Sequence, residues 1–350
     1  MNIKFSSWAI NTIIVMSLTF PTLQIVSGIY LHRIPYLLAG IFAIIAVFYR
    51  GYIYKSYLMT FVLIFSITFT GLLVVGTKYT AFMNPVIYGL FFYVIMGKLY
   101  KYNFIRLYKL LTLLLLLEFL IINLINYNAF GFLKNDLIHS YTALSSKITP
   151  LTGIYILPPN SIYYGVQVAS VLMAISVIIF RDHLLWKYIS IFLFSVCFSL
   201  TSIVMIATGM VIINFKKYFP ALILSLFILI YIFYSESLNF DKYYSTFSAF
   251  PISWWERPIN EKLFGYPHSP VYSWSWELGY FFIIKNLGLI NVLVLGIMNI
   301  ILVVKRRNIH SVIVTMLHVS LLHYHPALGL GLSQLFGLHI AHAMRENNHY

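Results

Sequence analysis

Residues 187–215 read KYISIFLFSVCFSLTSIVMIATGMVIINF, and the fold turns on how they are divided. The run is apolar almost throughout. In lipid every backbone polar group must be satisfied internally, which makes helix the assignment. It is either one long helix or two short ones meeting at Ser199-Leu200-Thr201-Ser202. The choice sets the side of a membrane on which everything downstream falls. With two helices and the N-terminus inside, 15 of the 23 Lys and Arg lie on the cytoplasmic side and 7 outside, with Lys285 inside a span. With one helix the split becomes 12 to 10 of the same 23. Basic residues gather on the cytoplasmic side of membrane proteins. The charge split therefore selects two helices.

The whole composition agrees with a membrane setting. The 350 residues are 61% hydrophobic and 9% charged, with mean hydropathy +0.86. A soluble domain carries roughly 25% charged residues. So little charge cannot cover a water-facing surface, but it suits one facing lipid. The net charge of +14 would suggest nucleic acid in a soluble chain. Here the Lys and Arg sit between apolar runs, and no nucleic-acid partner is expected. A β-barrel would alternate apolar and polar residues, and these runs are continuous. The single cysteine, Cys197, excludes an intrachain disulfide. The first apolar stretch follows Lys4, is too long for a signal-peptide core and lacks a small-x-small cleavage site. It is read as an uncleaved signal anchor.

The apolar runs predict helices over 8–30, 36–49, 57–76, 81–97, 107–126, 161–180, 187–200, 201–215, 218–234, 277–303, 310–323 and 327–343. The expectation is an all-α polytopic membrane protein of about 12 transmembrane helices at roughly 20 apolar residues per span. It forms a single transmembrane domain over 1–350, with both termini cytoplasmic and the bilayer as its first partner. Two long loops fall outside, 127–160 and 235–276. Six of the nine acidic residues belong to that side: Asp136, Glu236, Asp241, Glu256, Glu261 and Glu277. The second loop, between late spans, carries four of the six tryptophans and is read as an ordered cap over the membrane face.

That loop and its exit read YYSTFSAFPISWWERPINEKLFGYPHSPVYSWSWELGYFF over 243–282. Trp254, Trp255 and Tyr266 offer aromatic faces that stack on the apolar faces of sugars; the plain alternative is an interfacial aromatic belt. Glu256, Arg257, Glu261, Lys262 and His268 interleave with them. Arg257 presents a planar fork suited to phosphate oxygens, or else a surface pair with Glu256 or Glu261. Glu277 opens an apolar helix. It acts as general base or sugar-hydroxyl ligand, or merely complements the helix dipole. Lys285 stands about 12 Å deeper at 1.5 Å per residue, a level where an ammonium snorkels or meets an anion. Glu118, inside a span, is read as polar glue. His318, His323, His325, His339 and His342 cluster near the end. His323-Tyr324-His325-Pro326 lies at the outer turn between the last two spans. A His-x-His pair supplies two metal ligands and the spacing shows no third, so these two are read as substrate-facing and no metal is expected. No GxxxxGK[ST] and no GxGxxG opening a helix is present, so any glycosyl donor arrives already activated.

Two segments resemble the oligosaccharide-repeat polymerase and O-antigen ligase superfamily of bacterial envelopes. One is Leu157-Pro158-Pro159-Asn160-Ser161-Ile162-Tyr163-Tyr164-Gly165, at the start of a span after an outer loop. The other is Phe264-Gly265-Tyr266, then Glu277-Leu278-Gly279-Tyr280 with Lys285-Asn286-Leu287-Gly288-Leu289. The pattern covers roughly 150–300. These families commonly carry Ser-Arg at the hairpin turn, where this chain has Leu200-Thr201-Ser202-Ile203. The missing cation's role then passes to Arg257, Lys262 or Lys285. The resemblance implies a glycosyltransferase of the inner membrane that polymerises undecaprenyl-diphosphate-linked oligosaccharide repeat units into O-antigen, capsule or a related polysaccharide. It implies a chain-length regulator and a flippase as partners, and no cofactor.

On this reading Glu277, His268 and Arg257 are the catalytic candidates. Lys262, Lys285, Asn160, Trp254, Trp255, Tyr266, His323 and His325 are the substrate-binding ones. A ligase moving finished glycan to a lipid core shares this chemistry. A flippase or transporter would instead show ionisable groups at mid-membrane and an inverted repeat. The charge split predicts that Ser248→Cys, in the second outer loop, reacts with a membrane-impermeant thiol reagent on intact cells. Labelling only after the membrane is disrupted would sink this topology.

Overall fold

The computed structural model describes residues 24–26, 29–30, 103–121, 166–197, 199–214, 254–265, 279–305, 308–321 and 332–345, with Asn11, Val15, Leu18, Asn123 and Pro159 besides. The expected runs over 36–49, 57–76, 81–97 and 218–234 lie outside the described residues, as does the loop 127–160 apart from Pro159. The chain divides into two compact units. One takes Met1–Ile45, Leu99–Ser202 and Leu330–Leu332, the other Ala46–Lys98, Ile203–Gly329 and Ser333–Tyr350.

In the first unit Asn11, Val15 and Leu18 are helical. Strands β1 (Gln24–Val26) and β2 (Ile29–Tyr30) then pair antiparallel, Gln24 opposite Tyr30 and Val26 opposite Ile29. The helix expected over 8–30 therefore stops short of its predicted end. Ile25, Val26 and Ile29 are β-branched, and Ser27-Gly28 separates the strands with turn-forming residues.

Helix α1 (Phe104–Leu120) starts where the Asn103 side chain accepts from the Arg106 N–H at 3.0 Å. It packs with α2 (Val166–Ile179) and α3 (Leu184–Val196). α2 is buried nearly all round, as a helix apolar on every face requires. The polarity of this cluster is inverted. Thr112, Glu118, Ser170, Ser176, Ser190 and Ser202 are fully buried. Leu110, Leu113 and Leu117 of α1 and Leu184, Leu185 and Phe192 of α3 are exposed. Inside, the Thr112 hydroxyl donates to Ser176 Oγ at 3.5 Å, and Ser170 donates to Ser202 Oγ at 2.9 Å. At the α2–α3 turn the polarity returns to normal, with an exposed Arg181–Asp182 ion pair at 3.2 Å.

The deciding stretch is two helices. α3 ends at Val196, Cys197 caps it, and α4 (Leu200–Ile213) follows, with the Ser202 N–H bonded to the Ser199 carbonyl at 3.1 Å. Serine and threonine hydroxyls compete with the helix for backbone partners, and three of the four residues at this junction carry one.

The second unit holds α5 (Ile259–Phe264), α6 (Gly279–Lys305), α7 (Ile309–Ser320) and all but the first residue of α8 (Leu332–Arg345). α6 is 27 residues long but is interrupted at Gly288, which has φ 80 and ψ 168. α7 begins with a capping box: the Ser311 N–H donates to Asn308 Oδ1 at 2.9 Å and the Asn308 N–H to Ser311 Oγ at 3.1 Å. Asn308 Nδ2 donates to the Ala343 carbonyl at 3.0 Å, tying the start of α7 to the end of α8. Thr315 of α7 donates to Asn299 of α6 at 3.1 Å.

The helical class expected from the apolar runs is what the described residues show, apart from the short strand pair. Among the described residues no helix is long and apolar enough to cross a membrane. The break at Gly288 divides the longest of them.

Asn308 serves both a cap and an interhelical bond from one buried side chain. Asn308→Ala should lower unfolding free energy by about 2 kcal/mol, from the lost cap and the stranded Ala343 carbonyl. Asn308→Ser keeps a capping oxygen and should lose about half of that. Denaturant unfolding of the purified chain measures both, and equal stabilities for the two variants would refute the double role.

Candidate functional site

Of the stretch 235–276, expected to lie outside, the residues 254–265 are described, and they build their geometry from a proline and a glycine. Trp254 and Trp255 form one helical turn, closed by the Arg257 N–H on the Trp254 carbonyl at 3.2 Å. Pro258, with φ −55, sets the direction of the chain into α5, and the Lys262 N–H reaches back to its carbonyl at 3.1 Å. Gly265, with φ 96, ends α5 by donating its N–H to the Glu261 carbonyl at 2.8 Å. A side chain at Gly265 would be strained in that conformation.

These local bonds bring the side chains of the loop together. The indoles of Trp254 and Trp255 meet edge to face, 5.1 Å between centroids. The Lys262 ammonium donates to the Trp255 carbonyl at 2.8 Å and stands 5.6 Å from the Trp254 ring and 5.4 Å from that of Trp255. Both distances are within cation–π range. Trp255 nonetheless keeps 68% of its surface exposed. The Trp254 Nε1 is buried with no hydrogen-bond partner. A buried donor of this kind is satisfied elsewhere by water or a ligand. Arg257 and Glu261, one helical turn apart, form an ion pair at 3.5 Å with both side chains partly buried.

α5 lies against α6 near Gly288. One turn before that glycine, Lys285 is 2% exposed. α5, whose Glu261 pairs with Arg257, ends against Gly288, so Arg257 and Lys285 flank the same helix contact. Arg257, Lys262 and Lys285 bring cationic donors of the kind that bind an anion to this place, with Glu261 paired to Arg257. Beside it, the open face of Trp255 offers an apolar plane.

Of the residues singled out in the sequence, Arg257, Lys262, Trp254, Trp255 and Lys285 are gathered here. Glu277, His268, Asn160, Tyr266, His323 and His325 lie outside the described residues. Arg257 takes Glu261, not Glu256, as its acidic partner. Glu118 belongs to the other unit, on the buried face of α1.

The late histidines separate into two groups. His318 is buried against Phe336, ring centroids 5.2 Å apart, with its Nδ1 3.4 Å from the Tyr280 hydroxyl. The Tyr280 N–H donates to the Leu321 carbonyl at 3.1 Å, so the start of α6 is held at the end of α7. His339 and His342 join His310, which sequence reasoning left out of the cluster. The Nδ1 atoms of His310 and His339 are 3.0 Å apart, and the His310 and His342 rings are 5.2 Å apart. The signal for His310 was its place at the start of a helix that runs antiparallel to the next, opposite an i,i+3 pair near the end of that next helix. Among the described residues no three His, Cys, Asp or Glu are arranged to hold a metal ion.

No family model, curated protein or solved structure matches the chain.

Proposed function

We propose that this chain is a membrane glycosyltransferase that polymerises polyprenyl-diphosphate-linked oligosaccharide repeat units on the outer face of the inner membrane. The observation that carries the reading is the gathering of Arg257, Lys262 and the Trp254–Trp255 pair on a segment whose end packs at Gly288, one turn from Lys285. A diphosphate needs cations in a sheltered setting, and the sugar next to it needs a flat apolar face. Both are supplied there by residues 31 or fewer positions apart in sequence.

In the proposed reaction an acceptor hydroxyl attacks the anomeric carbon of the donor. A new glycosidic C–O bond forms as the C–O bond to the diphosphate breaks, and the diphosphate leaves with the bonding pair. Arg257 and Lys285 stabilise the charge that develops on it. Glu277, two residues before α6, takes the hydroxyl proton, with His268 as the other candidate base. Trp255 and Trp254 hold the sugar, and the Lys262 ammonium fixes the angle between the two indoles. The donor's bond is already activated, so these steps draw on no further co-reactant.

The inverted polarity of α1, α2 and α3 supports the membrane setting. Hydroxyls and a carboxylate turned inward and leucines turned outward suit acyl chains better than water. α6 adds an exposed apolar stripe at helical spacing: Leu293, Ile297, Ile300, Ile301 and Val304. The twelve-span topology, both cytoplasmic termini and the regulator and flippase partners belong to the same proposal.

Deleting the gene in its host and measuring glycan chain length separates the readings. Single-repeat products are expected for a polymerase. Lipid core without long glycan would mean a ligase, and lipid-linked units trapped inside would mean a flippase. In the complemented strain Arg257→Ala should lose long chains and Arg257→Lys should restore part of them, since loss of a buried charge contact costs about 2–5 kcal/mol. A normal ladder from well-expressed Arg257→Ala would remove the site from the mechanism.

A further inference from the structure

α6 is interrupted one turn after Lys285, and the interruption is occupied. An ideal Cβ on Gly288 would lie 2.0 Å from the Leu263 carbonyl oxygen, 2.4 Å from its carbon and 2.6 Å from the Phe264 carbonyl carbon. All three are backbone atoms of the end of α5, which no rotamer change can move aside. Real Cβ atoms essentially never come within 3.0 Å of such atoms. The φ of 80 with ψ of 168 at Gly288 also belongs to a region open in practice to glycine alone. Gly265, at the other side of the contact, has φ 96 and ψ 166 and lies in the same region. Two glycines in an uncommon conformation thus flank one contact: Gly265 ends α5 just after Phe264, and Gly288 breaks α6 where Leu263 and Phe264 lie.

The consequence reaches both cations. α5 is a single short helix, and Arg257 is fixed to it by its ion pair with Glu261 and by the turn through Pro258. Lys285 is on the arm of α6 that ends at the break. The depth to which α5 enters the break therefore sets how far the guanidinium stands from the ammonium. We infer that Gly288 is a positioning residue: the break it makes in α6 seats the end of α5 and so fixes where Arg257 is carried relative to Lys285, the two cations proposed to meet the donor's diphosphate. The seating stands on geometry, whereas the purpose given to it rests on the proposed function.

A methyl group at 288 obliges α5 to retreat by about 1 Å or α6 to close its break, since 2.0 Å must grow to at least 3.0 Å. Misplacing a catalytic group by about 1 Å can cost about 100-fold in rate. Gly296 provides the control on the same helix, because a Cβ there meets nothing within 4 Å. The test places spin labels on two exposed positions, Asn260→Cys of α5 and Leu293→Cys of α6, in a Cys197→Ser background of the full chain in detergent or nanodiscs. Gly288→Ala should shift or broaden the α5–α6 distance, and Gly265→Ala, acting from the other side, should do likewise. Gly296→Ala should leave it as in the parent. With lipid-linked repeat units as substrate, Gly288→Ala should lower kcat about 100-fold with little change in the acceptor KM.

An unchanged distance in folded Gly288→Ala would overturn the inference. So would failure of both Gly288→Ala and Gly265→Ala to fold while Gly296→Ala folds, because the glycines would then serve folding and not position. A changed distance with an unchanged glycan ladder would uphold the seating and instead bring down the proposed use of the Arg257–Lys285 pair.

Discussion

With 9% of its residues charged, this chain has little with which to hold water, and that scarcity constrains where its polar groups are found. In the first unit they turn inward. Ser170 meets Ser202, Thr112 meets Ser176, and Ser176 bonds the Leu172 carbonyl at 2.8 Å. The first two join one helix to another, while the third bonds back within α2. Hydroxyl pairs therefore join helices here alongside the packing of their apolar side chains. The second unit follows the same rule with other groups. Asn308 bridges two helices, Thr315 reaches Asn299, and three histidines stack where α7 starts and α8 ends.

The segment 254–265 departs from that rule. Here two cations, two acids and two indoles share one short segment, and its contact on α6 adds Lys285 one turn before Gly288. The segment is held by backbone devices and not by a large core. Pro258 starts α5, Gly265 stops it, and Gly288 opens a seat for its end. Such devices fix position at low cost in size. They suit a site that must lie at a surface and still keep two like charges together against their repulsion.

The helices of the described residues were legible from apolar runs, usually to within a few residues. The run 107–126 became Phe104–Leu120, and 310–323 became Ile309–Ser320. The junction inside 187–215 was legible too, through charge counting and the Ser-Leu-Thr-Ser sequence. Within 8–30 the pattern misled, because a β-branched stretch flanking Ser27-Gly28 is as apolar as a helix and differs only in the torsions it prefers. The proximity of Arg257, Lys262, Trp254 and Trp255 was readable from their spacing, since all lie within about two helical turns.

Composition and order of residues alone determined that the chain is helical, poor in charge and rich in aromatic side chains in one late loop. These follow from local preferences and from the energy of apolar surface, which neighbours in sequence already express. Other features were decided only by tertiary contact. A break in α6 is filled by the end of α5, and His310 finds His339 across 29 positions. Glycine at 288 reads in sequence as one more small residue in an apolar helix. Its role appears only when the Leu263 carbonyl stands where a side chain would be, a fact of packing between segments that no local preference encodes.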